Sequence, residues 1–164
     1  MKHRIRKARP GDADGISRVI LSALRETNAK DYSQDVIERV ERSFTPTAVL
    51  DLMAKRTVFV AMSKQQIIGT ASLDGRVVRT VFVAPNVQGD GVGRQLMAQV
   101  EQVARETGVE VLTVPSSVTA EQFYSKLGFE AVRDSYHGEE RTIIMERKLL
   151  GPQVGKPGRT AEAD

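Results

Sequence analysis

A glycine-rich loop at residues 88–93 carries the strongest chemical signal in the sequence. It reads QGDGVG and separates an apolar run, Val77 to Val83, from an amphipathic run, Val92 to Ala104. Glycines let the backbone approach a ligand closely and adopt positive φ, and the first amides of a helix lack partners within that helix. Such a junction is suited to an anion, so a pyrophosphate group is the first hypothesis for its ligand.

Two common nucleotide-binding motifs fail on spacing. A dinucleotide fingerprint requires a glycine three residues after Gly91, where this chain has Arg94. A P-loop requires Gly-Lys followed by Ser or Thr, which the loop lacks. The loop therefore predicts an anionic cofactor that neither motif describes.

Length and composition predict one domain. The chain has 164 residues, 40% of them apolar, which suits one core better than two. We expect a domain at residues 1–150 and a flexible tail at residues 151–164. The absence of cysteine excludes disulfides, thiolate zinc sites and a cysteine nucleophile, and no metal site is predicted. No run approaches about 20 apolar residues and the charged start is unlike a signal peptide, so a cytoplasmic protein without membrane contact is expected.

The first nine residues are basic, although the net charge of the chain is only +3. A nucleic-acid-binding arm would explain the charge, but no aromatic stacking platform accompanies it. Ile5 and Ala8 among the basic residues favour an edge strand with a solvated face. We therefore expect no nucleic-acid partner.

Hydrophobic periodicity predicts a strand from His3 to Ala8, then a helix capped by Asp12. A further helix is predicted after the cap Ser33, and another is predicted to start at Thr45-Pro46. The predicted buried positions of these three helices are Ile16, Val19, Ile20, either Ala23 or Leu24, Val36, Ile37, Val40, Val49, Leu50 and Met53.

The central part of the chain predicts an antiparallel meander followed by alternating helices and strands. The strands of the meander are Thr57–Ala61, Gln66–Leu73 and Val77–Val83. The helix that starts at Val92 is expected to end at Gly108 and to present one apolar face, formed by Val92, Leu96, Val100, Val103 and Ala104. Pro115 is expected to stop a strand that starts at Val109. The last predicted elements are a helix from Ser116-Ser117 to Leu127, ended by Gly128, and strands at Phe129–Arg133 and Arg141–Arg147.

Three segments together resemble the GNAT superfamily of acetyl-CoA-dependent N-acetyltransferases. The loop matches the cofactor motif of the family as Gln88-x-x-Gly91-x-Gly93. The stretch from Ala120 to Phe129 has the family's tyrosine, Tyr124, followed four residues later by Gly-Phe. The opening IRKARPGDA also resembles a common family start. The resemblance implies an α/β (α+β) fold: a mixed, mostly antiparallel sheet of about seven strands, flanked by helices and splayed at the cofactor cleft.

The resemblance also implies a role for each matched position. Pantetheine would pair with the backbone of the strand before the loop, at Val81 and Val83, and an amide near Val81 or Phe82 would bind the oxyanion. The Gln88 side chain and the amides of the loop would hold the pyrophosphate of acetyl-CoA. The predicted cofactor-binding residues are Val81, Phe82, Val83, Gln88, Gly89, Asp90, Gly91, Val92, Gly93, Arg94 and Ser117. Ser117 replaces a frequent asparagine, and its hydroxyl is equally suited to cap a helix.

Tyr124 matches the position of the family's general acid. A phenol with a pKa near 10 is protonated at neutral pH and can donate to the departing thiolate. From spacing alone, a core tyrosine anchored by its hydroxyl is the competing interpretation. The glutamate base of some branches is not carried over, because Val77 occupies that position. The candidate bases are Asp74, His137, Glu139, Glu140 or a water chain.

The acceptor is expected to bind at the variable segments, Glu26–Phe44 and Asp134–Arg141. Tyr32, Tyr136, Asp31, Asp35 and Glu38 are candidates there, although each also suits an ordinary surface position. The leading hypothesis is acetyl transfer to a primary amine of a small molecule or protein, in a ternary complex. The alternative is a catalytically silent acyl-CoA sensor or protein-interaction module of the same fold. A homodimer is possible, since dimers are common in the superfamily.

Overall fold

The computed structural model describes residues 3–26, 30, 32–138 and 140–149. These residues form a seven-stranded sheet in the order β1-β2-β3-β4-β5-β7-β6. The strands are β1 Arg4–Lys7, β2 Thr57–Ser63, β3 Gln66–Asp74, β4 Val77–Val83, β5 Val111–Ser116, β6 Glu130–His137 and β7 Glu140–Lys148. Neighbouring strands are antiparallel, except for the parallel pair β4 and β5. The predicted fold class is confirmed.

The meander follows the predicted hairpins. β2 and β3 meet through a two-residue turn, because Ser63 pairs with Gln66. β3 and β4 meet in the same way, with Asp74 paired to Val77 around Gly75 at φ 64°. Two-residue turns of this kind favour positive φ, which glycine adopts without strain.

β4 and β5 diverge almost from their start. Their register contains one pair, Val77 with Thr113. Beyond it, the pairing of β4 with β3 shifts between Ser72–Arg79 and Thr70–Phe82, so β4 carries an extra residue opposite Ala71. Thr80 lies in this bulge with φ 58°, a strained conformation for a β-branched residue. The bulge increases the local twist, and the divergence of β4 from β5 leaves one edge of β4 open, as the predicted splay requires.

Five α-helices cover the two faces of the sheet in the described residues. They are α1 Ala13–Glu26, α2 Gln34–Glu41, α3 Pro46–Lys55, α4 Val92–Glu106 and α5 Glu121–Lys126. Ser33 caps α2 as predicted, by accepting from the Val36 amide, and Thr45 caps α3 by accepting from the Ala48 amide. No helix of the described chain is long and apolar enough to span a membrane.

Alternation along β2 divides the core in two. Phe59 and Ala61 belong to a cluster with α4, α5 and the last strands. Val58, Val60 and Met62 belong to a second cluster with α1, α2 and α3. Side chains of a strand alternate between faces, so this one buried strand anchors helices on both sides. The predicted buried faces of α1 and α4 are confirmed by Ile16, Ile20, Leu96 and Val100, each at most 2% exposed.

Several local predictions are wrong. Asp12 does not cap α1: its carboxylate accepts from the Arg9 amide at 2.7 Å and pairs with Arg6 at 2.8 Å, within a 3₁₀ turn that leads into the helix. Leu50 is 42% exposed, because the buried face of α3 passes through Val49 instead.

The region around Pro115 also differs from the prediction. Pro115 does not stop β5 but lies within it, opposite Ile144 of β7. β5 starts at Val111, two residues later than predicted, and continues through Pro115 to Ser116. A turn at residues 118–120 follows, so α5 starts at Glu121, later than the predicted start at Ser116-Ser117. The predicted tail, 151–164, lies outside the described residues.

Candidate active site

A cleft of about 610 Å³ opens where β4 and β5 separate. We call it the larger cleft. Its walls come from the end of β4, the loop and first turn of α4, the end of β5, and α5. Every predicted cofactor-binding residue except Asp90 lines it, and so does Tyr124. Asp90 instead donates its amide to the Val87 carbonyl at 3.2 Å and is exposed.

The start of α4 presents unpaired amides to the larger cleft. The first bond of the helix runs from the Gln95 amide to the Gly91 carbonyl at 3.0 Å. The amides of Gly91, Val92, Gly93 and Arg94 therefore lack partners within the helix, and no side chain caps them. Gly91, at φ 84°, turns the chain into the helix through a left-handed conformation. Converging free amides at a helix N-terminus suit a pyrophosphate.

Arg94 is placed against the preference of the helix dipole. The first turn of α4 contains no acidic residue and has Arg94 as its third residue. A cation near a helix N-terminus is unfavourable, whereas acidic residues are stabilising there. Arg94 is exposed and lines the larger cleft. An anion bound at this end would interact favourably with both Arg94 and the helix dipole.

The open edge of β4 can receive an extended ligand. The Ala84 amide donates to the Ile68 carbonyl of β3 at 2.8 Å. Backbone groups of successive residues point to alternate edges, so Val83 and Val81 direct theirs toward the larger cleft. The Gln88 side chain supports this geometry, because its Nε2 donates to the Val83 carbonyl at 3.2 Å.

Tyr124 is buried against the larger cleft. Only 4% of the residue is exposed, and its ring packs edge-on against Phe123 and Phe129 at centroid distances of 5.1 and 5.7 Å. Burial raises the pKa of the Tyr124 hydroxyl above its ordinary value, so the group stays protonated. None of the hydrogen bonds among the described residues involves this hydroxyl. An anchored core tyrosine would have such a partner.

Gly93 leaves space for close packing as well as shaping the loop. A Cβ at this position would lie 3.0 Å from Cζ of Phe123. The missing side chain thus lets α5, with Tyr124, approach the start of α4 closely. Ser117 accepts from the Ala120 amide at 3.2 Å, so its hydroxyl supports the turn before α5 while lining the larger cleft.

A second cavity, of about 340 Å³, adjoins the larger cleft. We call it the smaller cavity. Thr80, Phe82, Pro115 and Ser117 line both spaces. Apolar side chains from α1 and α2 form one wall, and the charged residues of the smaller cavity are Arg56, Arg79 and Glu140.

Of the predicted base candidates in the described residues, Glu140 lines one of the two spaces, whereas Asp74 and His137 line neither. Glu140 lines the smaller cavity, where it pairs with Arg39 at 3.0 Å. Asp74 pairs with Arg79 at 3.1 Å in the β3–β4 hairpin and lines neither space. His137 is exposed at the end of β6, away from both spaces, and Glu139 lies outside the described residues.

The residues predicted to bind the acceptor differ in the same way, since some line the smaller cavity and others are exposed. Tyr32 lines the smaller cavity, whereas Tyr136 is 62% exposed. Asp35 and Glu38 are exposed on α2, and Asp31 lies outside the described residues.

Two residues of the site escaped the sequence reasoning. Arg56 follows α3 and donates through Nη1 to Oγ1 of Thr80 at 3.1 Å. Neither residue belongs to a local motif, and the bulge that exposes Thr80 depends on the register of β3 with β4. The one sequence feature that could have pointed to this pair is the charge of Arg56 directly before a predicted strand.

Known proteins share both sequence and fold with this chain. The acetyltransferase (GNAT) domain family matches residues 28–146. An uncharacterized N-acetyltransferase of Escherichia coli, YafP, is 27% identical over 129 residues, covering 79% of this chain and 82% of YafP.

Two solved structures show the same architecture. A GCN5-related N-acetyltransferase from Rhodopseudomonas palustris superposes with a TM-score of 0.84 at 23% identity, covering 90% of this chain and 96% of its own. PaiA N-acetyltransferase from Thermoplasma acidophilum, solved in complex with coenzyme A, gives a TM-score of 0.77 at 20% identity, with coverages of 90% and 99%. These identities are low, so the structures speak for the fold alone. The match across most of the chain, with the loop and Tyr124 in one cleft, shows that this protein belongs to the GNAT family of acetyltransferases.

Proposed function

We propose that this protein transfers the acetyl group of acetyl-CoA to a primary amine by direct attack in a ternary complex, with Tyr124 as the general acid. The observation that carries the proposal is the junction of the two spaces. Thr80, Phe82, Pro115 and Ser117 line both the larger cleft and the smaller cavity. A thioester in the first and an amine in the second would meet there without a covalent carrier. The chain also contains no cysteine that could serve as one.

In the proposed complex, acetyl-CoA lies in the larger cleft with its pyrophosphate at the start of α4 and its thioester at the junction with the smaller cavity. The free amides at the start of α4, with Arg94, would bind the pyrophosphate. Pantetheine would then lie along the open edge of β4 and bond to the backbone of Val83 and Val81, as an added strand does. The thioester would reach the junction beside Phe82 and Tyr124.

The chemical step needs a neutral amine and two proton transfers. The amine nitrogen forms a bond to the thioester carbonyl carbon, and the electron pair of the carbonyl moves to its oxygen. We assign the oxyanion to the Val81 amide, because the Phe82 amide belongs to the edge paired with β3. The electron pair on the oxygen then re-forms the carbonyl as the C–S bond breaks, and the thiolate takes the proton of Tyr124. The nitrogen loses its proton to a base or water, and Tyr124 regains a proton from solvent before the next turnover.

Burial suits Tyr124 to this role. The raised pKa keeps the hydroxyl protonated until the thiolate forms. The thiolate would form in the same apolar surroundings, which also raise its affinity for a proton. Because the hydroxyl has no hydrogen bond to the described protein, it is available to the sulfur.

Glu140 is the carboxylate that the structure favours as proton acceptor among the predicted candidates. It lines the smaller cavity, whereas Asp74 and His137 do not. Its ion pair with Arg39 occupies part of its hydrogen-bonding capacity, so a water between Glu140 and the amine is the expected route.

The test is steady-state thiol release from acetyl-CoA with a panel of primary amines. We expect intersecting initial-velocity lines and an acetylated amine in amounts equal to free CoA. Parallel lines would indicate a covalent carrier and contradict direct attack. Tyr124→Phe should lower kcat about a hundredfold or more with nearly unchanged acetyl-CoA affinity, and Tyr136→Phe is the matched control on the surface. Acetyl-CoA binding without transfer to any amine would favour the silent sensor of the same fold.

A further inference from the structure

The smaller cavity is positively charged. Among the described residues that line it, Arg56 and Arg79 are cationic and Glu140 is the one acidic residue, which is already paired with Arg39. Arg79 is paired with Asp74, but both side chains are about 40% or more exposed, which weakens the pair. An ammonium group alone would gain little from such a cavity, although an acceptor amine must bind near it.

Arg56 lacks an acidic partner in the described structure. Its recorded side-chain bond is the one to Thr80, and none of the salt bridges among the described residues includes it. A guanidinium carries five N–H donors, so most of its bonding capacity is unused by the protein. Partial burial and the nearby charge of Arg79 lower the pKa of Arg56, while Asp74 offsets this in part.

The position of Arg56 is fixed by the fold. It directly follows α3, and its amide closes that helix by donating to the Leu52 carbonyl at 3.0 Å. Its side chain then reaches the β4 bulge at Thr80, on the wall that the smaller cavity shares with the larger cleft. Buried apolar residues such as Val36 and Ile37 face the same cavity, and low polarity strengthens a charge interaction made inside it.

We propose that Arg56, supported by Arg79, binds a carboxylate of the acceptor, so that the acceptor is a small amine carrying a carboxylate, of the amino-acid class. This inference rests on the acetyl transfer proposed above. A guanidinium binds a carboxylate through two parallel hydrogen bonds, and this pairing fixes orientation as well as affinity. The amine of the same molecule would extend toward Phe82 and Ser117, where the cavity meets the thioester.

The same charges work against other acceptors. Polyamines and lysine-rich protein segments would bring further cations to Arg56 and Arg79, and like charges in a poorly solvated space are repelled. Specificity would therefore arise both from the carboxylate contact and from this repulsion.

The test uses matched pairs of acceptors that differ only in the carboxylate: each of the common amino acids and its carboxamide. We expect the wild-type protein to show kcat/KM higher by about tenfold to a hundredfold for the better carboxylates than for their carboxamides. Arg56→Gln should remove this preference and leave acetyl-CoA affinity unchanged. Arg56→Lys should restore part of it, because the charge returns without the bidentate geometry. Arg42→Gln, which changes an exposed arginine outside both spaces, is the control.

The outcomes separate this inference from the proposed function. Transfer to carboxamides as fast as to amino acids, or an unchanged preference in Arg56→Gln, overturns the carboxylate site while acetyl transfer stands. Calorimetric titration of the same pairs into the CoA-bound protein gives an answer even without turnover. Binding of amino acids that Arg56→Gln abolishes supports the site, and no binding of any carboxylate overturns it. Thermal melting of each variant shows whether a lost preference reflects lost folding.

Discussion

The Tyr32 hydroxyl accepts a hydrogen bond from the Val118 amide at 2.7 Å, across 86 residues of sequence. It also donates to the Arg141 carbonyl of β7 at 3.3 Å. One side chain thus joins the segment before α2 to the turn before α5 and to the last strand. Because Ser117 and Glu140 lie beside these contacts, Tyr32 helps to fix the wall of the smaller cavity.

Removing this hydroxyl should loosen the smaller cavity. Tyr32→Phe leaves the Val118 amide without its partner, which costs about 1–3 kcal/mol of unfolding free energy. We also expect a higher KM for the acceptor with little change for acetyl-CoA. Urea unfolding and steady-state kinetics measure both effects. Tyr136→Phe, at a side chain 62% exposed, should change the free energy by less than about 0.5 kcal/mol, and equal effects in the two variants would contradict the bridging role.

Gly91→Ala should reduce both stability and acetyl-CoA affinity. Its φ of 84° costs an alanine about 1–2 kcal/mol, although the added Cβ would meet no atom within 4 Å. Gly108 offers a matched control, since it has the same φ and the same free space at the other end of α4. Gly108→Ala should show a similar stability loss in urea and normal acetyl-CoA affinity by calorimetry. Normal affinity in Gly91→Ala as well would contradict the pyrophosphate site.

Arg94→Glu should change stability and affinity in opposite directions. An acidic residue in the first turn favours the helix dipole, so the free protein should gain about 0.3–1 kcal/mol. The same change should weaken acetyl-CoA binding about tenfold or more, because a carboxylate replaces the cation beside the pyrophosphate. Urea unfolding without ligand and calorimetry with acetyl-CoA give the two values. Tighter or equal binding by Arg94→Glu would remove Arg94 from the cofactor site.

The buried Tyr124 hydroxyl should make stability fall at alkaline pH. Its pKa is raised in the folded protein, so above the ordinary value of about 10 the unfolded chain releases a proton that the folded chain retains. The folded state then binds more protons, and its stability decreases as pH rises. Urea unfolding between pH 8 and 11 should show a smaller decrease for Tyr124→Phe than for the wild-type protein. Parallel curves would show that this hydroxyl is not desolvated.

Local patterns predicted much of the fold and the cofactor loop. The meander, the cap at Ser33 and the buried face of α4 follow from periodicity and turn residues within short windows. The glycine loop and Tyr124 each belong to a short motif, whose residue types and spacing are visible in the sequence without knowledge of the fold. The structure adds that Gly93 brings the two segments together, since Phe123 occupies the space of a missing side chain.

Features that depend on long-range pairing were not predictable. The sequence predicts that Pro115 ends a strand, but the pairing of Pro115 with Ile144 depends on β7, about 30 residues later. Arg56 and Thr80 meet only because a bulge in β4 turns Thr80 toward the end of α3. The carboxylate that Asp12 was expected to offer α1 is instead used by Arg6 and Arg9. In each case a tertiary partner outweighed the local preference.

A crystal structure of the protein with bound acetyl-CoA tests the central claim most directly. We predict that the pyrophosphate lies within hydrogen-bond distance of the amides from Gly91 to Arg94. The thioester carbonyl should lie near the Val81 amide, its sulfur near the Tyr124 hydroxyl, and the acetyl group should face the smaller cavity. Acetyl-CoA bound outside the larger cleft, or with its acetyl group turned away from this junction, would contradict the account.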